Sequence, residues 1–436
     1  MSKSSPKYYP ELEGIRGYAF IMVFFAHYLV VQITGFSHPW AYPFRVLADT
    51  AWVGVSMFFV LSGYLITGIL LRSVDRDGYF RVFYGRRILR VLPLYYLSLG
   101  IVFGWALLKH VDLHGMWAYL IYIQNLHIVA GADRNLDFGW YRVSLAHLWS
   151  LAVEEQFYIV WPLVIFIFRG RRAMTVVCVS GIFIACLCRV FAPQMGLTPL
   201  ASYSATQTRF DALLLGALVA IYKSHPIYPY VERWAKWGLL ASFSGLAAAC
   251  IFTGTSMPMG LDLRFHDQWR VVWMIPLGNI VAFTSIIEVM RSRGVLHRVC
   301  SGSWICRVGM LTYGAYVVHY PVQYFLLYRV TPRLAQHMPH ALAVFVVTAG
   351  ALAGTMVFAS LSFNYIEMPF MRMKSKLEHG KAERAMPISE RLGRFSYVVE
   401  RRLAVLSDWV HTQGVLAMLP RGESPTLVGP NSPQSD

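Results

Sequence analysis

An arginine and a histidine stand eleven residues apart inside one apolar run, Ile15 to Val31. At about 100° per residue, eleven steps make three helical turns with about 20° of drift, so Arg16 and His27 share one helix face, roughly 16 Å apart along the axis. That spacing puts a guanidinium near one interface and an imidazole near the middle of a bilayer about 30 Å thick. Ionisable side chains are costly in lipid and must face a cavity or a partner. An imidazole at that depth can act as a general base near neutral pH, and a guanidinium at the mouth can hold an anion. Snorkelling to headgroups explains Arg16 equally well; for His27, at mid-depth, function is the better reading.

Arg86, Arg87 and Arg90 fall within a turn and a half, ahead of Pro93. Three guanidiniums can grip phosphates bidentately, better than lysines do, although a basic cap at the end of a membrane helix has the same signature and needs no ligand. In the run Leu148 to Tyr158 the adjacent Glu154 and Glu155 point about 100° apart, so at most one is expected to face a common cavity. Entering from the other side, Glu154 lies roughly 9 Å deep, near the level of His27, where a carboxylate would orient the imidazole as an acid/base pair. Ser62-Gly63 gives the second run a notch for packing or for the approach of a ligand chain. Arg209 and Asp211 enter the sixth run and His319 lies inside the ninth; taken singly, His319 and Glu367 read as structural. The six cysteines have no metal-ligand or disulfide spacing and read as packing residues, and no metal is expected.

The elements that must carry these side chains are membrane helices. Of 436 residues 56% are hydrophobic and 14% charged, and the mean hydropathy is +0.47, which excludes an ordinary soluble domain. The net charge of +16 does not call for nucleic acid, because most Lys and Arg sit in short connections between apolar runs. Runs lie near 14–34, 50–71, 91–108, 148–168, 173–192, 206–223, 237–253, 271–290, 310–330 and 341–361, with a shorter, more polar one near 115–130. Ten spans gather most of the positive charge, including Arg72, Arg76, Arg81, Arg86, Arg87, Arg90, Arg169, Arg171, Arg172, Lys223, Arg291 and Arg372, on one side; eleven would move Arg169, Arg171 and Arg172 across. The sequence therefore predicts an all-α bundle of about ten transmembrane helices with both termini cytoplasmic, and a re-entrant or interfacial segment near 115–130.

Residues 1–371 form the membrane domain on this reading, without a cleavable signal before the first helix. Residues 372–436 form a cytoplasmic tail, in which Leu392, Phe395, Val399, Leu403, Leu406 and Val410 mark an amphipathic helix near 390–412 ahead of a disordered end.

Several motifs stand in one order: Leu12-Glu13-Gly14-Ile15-Arg16-Gly17 with His27, Phe58-Phe59 to Ser62-Gly63-Tyr64, Arg86-Arg87 to Arg90 with Leu92-Pro93, Trp149-Ser150-Leu151 to Glu154 to Phe157-Tyr158, and Tyr365-Ile366-Glu367 to Pro369. Over roughly residues 8 to 373 the chain resembles the acyltransferase 3 family of bacterial membrane proteins, with Glu13 where Asp is usual. The resemblance implies transfer of an acyl group, commonly acetyl, from cytoplasmic acyl-CoA to a hydroxyl of a carbohydrate, often an envelope glycan; some relatives acylate macrolides. It implies an inner-membrane enzyme that uses acyl-CoA as donor substrate and holds no permanent cofactor. Some relatives also carry an extracytoplasmic hydrolase-like domain; none is read here, so an acceptor on the outer side implies a partner protein. Arg16, Arg86, Arg87 and Arg90 are then expected at the CoA phosphates with Ser62 beside the donor arm. His27 is the base, or an acyl carrier, oriented by Glu154, and Arg209, Asp211 and His319 belong to the acceptor. A transporter or flippase with a path through His27, Glu154 and Arg209 is the competing class. The acceptor, the acyl length and the face of transfer stay open.

Overall fold

The structure is a computed structural model that describes residues 9–33, 50–110, 115–129, 145–252, 268–292 and 294–374. Among these residues the chain is helical, without a strand. Ten long helices stand at the ten apolar runs: α1 Pro10–Ile33, α2 Val53–Leu71, α3 Tyr79–Leu108, α4 Trp149–Ile167, α5 Arg171–Phe191, α6 Thr206–Tyr222, α7 Tyr228–Phe252, α8 Gln268–Val289, α9 Ser303–Phe325 and α10 His340–Ser362. Between α3 and α4 lie two short helices, Trp117–Leu120 and Gln124–Val129, of four and six residues. Neither can cross a bilayer, as expected for that segment. The expected tail helix near 390–412 and its disordered end lie outside the described residues, as do Lys3, Lys7, Arg45, Arg134, Arg142 and Arg264.

Local chemistry sets the helix ends. Pro10 opens α1 where its missing N–H costs nothing, with Glu11 and Glu13 in the first turn opposing the positive end of the dipole. Gly78, with φ at 71°, makes the left-handed turn that starts α3. That helix begins at Tyr79 rather than near 91, because the polar stretch ahead of the apolar run carries no breaker after Gly78. Arg86, Arg87 and Arg90 therefore project from the body of a helix and do not cap its start. α9 and α10 each run on through a wide π turn, Leu326–Val330 and Phe363–Glu367.

Contacts between helix ends fix an alternating up-and-down course. Asp75, after α2, pairs with Arg169, after α4, at 3.0 Å. Thr175 at the start of α5 meets Tyr222 at the end of α6 at 3.0 Å, and Lys223 meets Tyr228 of α7 at 3.1 Å. His297, in the turn before α9, meets the Val289 carbonyl at the end of α8 at 2.9 Å. One end of the bundle thus collects the starts of the odd helices and the ends of the even ones, and with them the arginines after α2, on α3 and after α4.

Seven helical segments, those built on α2, α3, α4, α5, α7, α8 and α10, are long and apolar enough to cross a membrane by length and composition, so the chain is a multi-pass membrane protein. α1, α6 and α9, which carry Arg16 with His27, Arg209 with Asp211, and His319, fall outside that set. They pack among their neighbours, α1 on α9 and α2, α6 on α2 and α5, where polar side chains find protein partners. In the apolar stretches of α5 and α7, by contrast, only 22% of residues are buried, as suits helices at the lipid boundary. Gly63 of α2 and Gly216 of α6 let these two helices come close: a Cβ on either would overlap the backbone carbonyl of Leu213 or Val60 on the facing helix.

Candidate functional site

At the end of the bundle where the arginines gather, α1, α2, α3, α4 and α9 with the π turn after α10 enclose a cavity of about 150 Å³. Arg16, Arg87 and Arg90 line it, facing Glu154, Glu155 and Glu367. Arg16 Nη1 is 2.9 Å from Glu13 Oε1, and Arg87 lies over the Tyr158 ring, 4.4 Å from its centroid. Arg90 hydrogen-bonds to no described residue, although Arg16, Arg87 and Glu13 are close enough to act on its charge. Arg86, expected beside them, is not in the lining. Outside the membrane, Lys374 joins the group: burial first, then Arg90, Arg87 and Arg86, push its ammonium down to about 8 from an ordinary 10.5. A cluster of cations that lowers the affinity of its own member for a proton is short of an anion.

Both adjacent carboxylates line the cavity, against the expectation of one, because it wraps around more than 100° of α4. Glu154 shares this wall with Ser62 and Tyr158 and lies close enough to Arg87 and Arg16 to feel their charge. The Ser62 and Tyr158 hydroxyls are in hydrogen-bond contact with each other. Glu367 accepts from Ser362 at 3.2 Å and reaches the cavity because the π turn rotates it inward.

Deeper along α1, His27 is not in the lining and does not pair with Glu154. Its Nδ1 lies 3.3 Å from Nε2 of His319 on α9, and the Gln323 amide donates to its backbone carbonyl. The expected pairing at equal depth fails because Glu154 is held sideways by α2, whereas α9 lies directly on α1. Around the two imidazoles stand the rings of His147, 5.1 Å from His319, and Tyr320, 4.8 Å from His27. His147 Nε2 donates to the Val317 carbonyl at 3.3 Å, and Tyr316 donates to the His147 carbonyl at 2.9 Å. Tyr316 and Ser150, hydrogen-bonded to each other, line the cavity and touch His319 and His147 respectively. The histidines therefore lie one side chain behind the cavity wall. Among the described residues no set of His, Cys, Asp or Glu is arranged to hold a metal ion.

Arg209 lies elsewhere, in an aromatic box. Its guanidinium is fully buried, 4.7 Å from the Tyr203 ring and 5.3 Å from that of Phe59, and donates to Ser56 at 3.2 Å. Its Nε and Nη1 have no partner among the described residues. Asp211 is occupied: its carboxylate takes Arg189 of α5 at 2.7 Å, an ion pair with both members buried. Of the three residues expected at the acceptor, His319 meets His27, Arg209 stands in its own box, and Asp211 is spent on Arg189.

The residues that sequence reasoning missed had weak signals. His147 sits two positions before the Trp149-Ser150 motif, and Tyr316 lies one helical turn before His319, hence on the same face. Glu155 adjoins Glu154, and helical geometry alone puts at most one of the pair on a common cavity; Arg189 is indistinguishable in sequence from an arginine at a helix end.

Comparison with known proteins completes the picture. The family described as an acyltransferase domain, acyltransferase 3, matches residues 9–360. The peptidoglycan O-acetyltransferase OatA of Listeria monocytogenes is 27% identical over 385 residues, covering 85% of this chain and 57% of that protein. The putative peptidoglycan O-acetyltransferase YrhL of Bacillus subtilis is 27% identical over 380 residues, 83% of this chain and 55% of that protein. A putative O-acetyltransferase of Staphylococcus aureus is 26% identical over 381 residues, 84% and 58% of the two chains. The chain thus spans little more than half the length of these relatives. No solved structure matches it. The cavity of arginines and glutamates and the buried histidines all fall within or close beside the matched stretch: the chain belongs to the acyltransferase 3 family.

Proposed function

We propose that this chain is an O-acyltransferase that carries an acyl group, acetyl by preference, from acyl-CoA to a hydroxyl of a cell-envelope glycan. The single observation that carries the reading is the stacking of two unlike sites in one bundle: an anion-seeking cavity lined by Arg16 and by Arg90, which hydrogen-bonds to no described residue, and a buried imidazole roughly 16 Å beyond Arg16 along α1. The pantetheine arm of CoA is of that order of length. With the diphosphate at Arg16, Arg87, Arg90 and Lys374, the thioester reaches the level of His27 once Tyr316 swings aside. The positive-inside rule places the arginine end of the bundle, and with it both termini, in the cytoplasm, where acyl-CoA is found. The membrane is then the bacterial inner membrane. Peptidoglycan O-acetylation by the named relatives supports a wall or envelope glycan as acceptor, with an extracytoplasmic partner if the acceptor lies outside.

In the reaction, His27 Nε2 takes the proton of the acceptor hydroxyl as its oxygen attacks the thioester carbonyl. The C–S bond breaks, the ester C–O bond stays, and the proton passes to the departing sulfur, which leaves as CoA thiol. Purified protein in lipid nanodiscs, given acetyl-CoA and glycan fragments, is expected to release CoA only when acceptor is present. His27→Ala abolishes release while the protein keeps its elution volume and melting temperature. Unchanged turnover in the folded His27→Ala protein would sink the reading.

A further inference from the structure

His319 Nδ1 lies 2.7 Å from the backbone carbonyl of Tyr316. A carbonyl only accepts, so in a neutral His319 the ring proton sits on Nδ1 and Nε2 carries the lone pair. That Nε2 faces His27 Nδ1 at 3.3 Å, and one of the two must donate. It has to be His27 Nδ1. That contact holds the proton on His27 Nδ1, and no described residue hydrogen-bonds to His27 Nε2.

We propose that His319 is the positioning residue of this enzyme, doing for His27 what a carboxylate does in other acid/base sites: it fixes the tautomer that leaves Nε2 bare and holds the ring in place. The use of an imidazole has a physical reason. A carboxylate at this depth, without water, would need its own counter-ion, whereas a neutral imidazole tied to a carbonyl orients its partner without adding charge. When His27 takes the proton of the acceptor, the imidazolium N–H at Nδ1 already points at the His319 lone pair. The proposal rests on the reading of His27 as general base.

The test reads the tautomer directly and separately from activity. Protein labelled with ring-15N histidine is placed in nanodiscs, and the His27 signals are identified by their loss in His27→Asn. The expected wild-type spectrum has a protonated Nδ1 and a bare Nε2. In His319→Leu the two tautomers of His27 mix, and kcat for acyl transfer falls about tenfold or more with the donor KM within twofold. His319→Gln, whose amide oxygen accepts from His27 and whose N–H₂ donates to Tyr316, keeps the Nδ1–H form and most of kcat. A protonated Nε2 in wild type, or an unmixed tautomer in folded His319→Leu, overturns the proposal. If the tautomer is as stated but His27 variants still turn over, the general-base reading fails while the orienting contact stands.

Discussion

Arg90 and Asp211 illustrate how much a charge depends on what it touches. Arg90 faces the cavity without a hydrogen-bonded partner, so its guanidinium is available to an incoming phosphate. A hydrogen bond to a charged group contributes about 1.5–3 kcal/mol, so Arg90→Ala should raise the KM for acetyl-CoA by about 10- to 100-fold with little change in melting temperature. Arg86→Ala, outside the lining, should change that KM by less than Arg90→Ala does; equal losses would remove the distinction. Asp211 is the opposite case. It neutralises Arg189 with both members buried, and leaving an unpaired buried guanidinium costs about 3–5 kcal/mol. Asp211→Ala is expected to lower the melting temperature sharply and to reduce yield, measured by fluorescence-detected size exclusion, and the joint Asp211→Leu, Arg189→Met variant should recover much of the loss. Loss of activity in a fully stable Asp211→Ala protein would instead restore Asp211 to the acceptor site.

At the level of helices, the cavity exists because α2 and α6 lie close and α1 and α9 lie close. Gly63 and Gly216 permit the first approach, and a side chain at either position has to push a carbonyl away. Gly216→Leu should therefore unfold the bundle or separate α2 from α6, whereas Gly104→Leu on α3, where nothing lies within 4 Å, should be silent in the same thermal assay. The π turn at Phe363–Glu367 plays a different part, since it turns the end of α10 so that Phe363 and Glu367 reach the cavity.

For the molecule as a whole, the gathering of Arg86, Arg87, Arg90 and Lys374 at one end should make the binding of an anion there depend on pH. Lys374 is pushed down to about 8 in the folded protein from an ordinary 10.5, so the native state holds fewer protons than the unfolded chain between those values. Stability without ligand should rise as pH increases from about 8 toward 10.5, because the cost of burying the ammonium, and then its repulsion by the arginines, is relieved as Lys374 loses its charge. Anion binding has the opposite sign: a phosphate stabilises the ammonium, so affinity for CoA should weaken as pH rises above about 8. Titration calorimetry with CoA from pH 7 to 9.5 checks this, and Lys374→Met should flatten the slope. A slope unchanged in that variant would assign the proton to another group.

The apolar runs by themselves marked where the ten long helices lie and set the segment near 115–130 apart from them, because a bilayer demands about 20 apolar residues per crossing and tolerates few charges. The Arg16 to His27 spacing likewise placed both on one helix, since helical geometry is local. Local sequence also limits what can be read: the apolar run near 91–108 does not show that α3 begins at Tyr79, as apolarity marks where a helix meets lipid rather than where it begins. Only the tertiary structure decided partners. It gave His27 to His319, set Glu154 in the cavity wall beside Ser62 and Tyr158, brought His147 and Glu155 into the site, and took Asp211 for Arg189. Depth along a helix is written in the chain, but rotation about its axis and the choice of neighbour come from close packing between helices far apart in sequence.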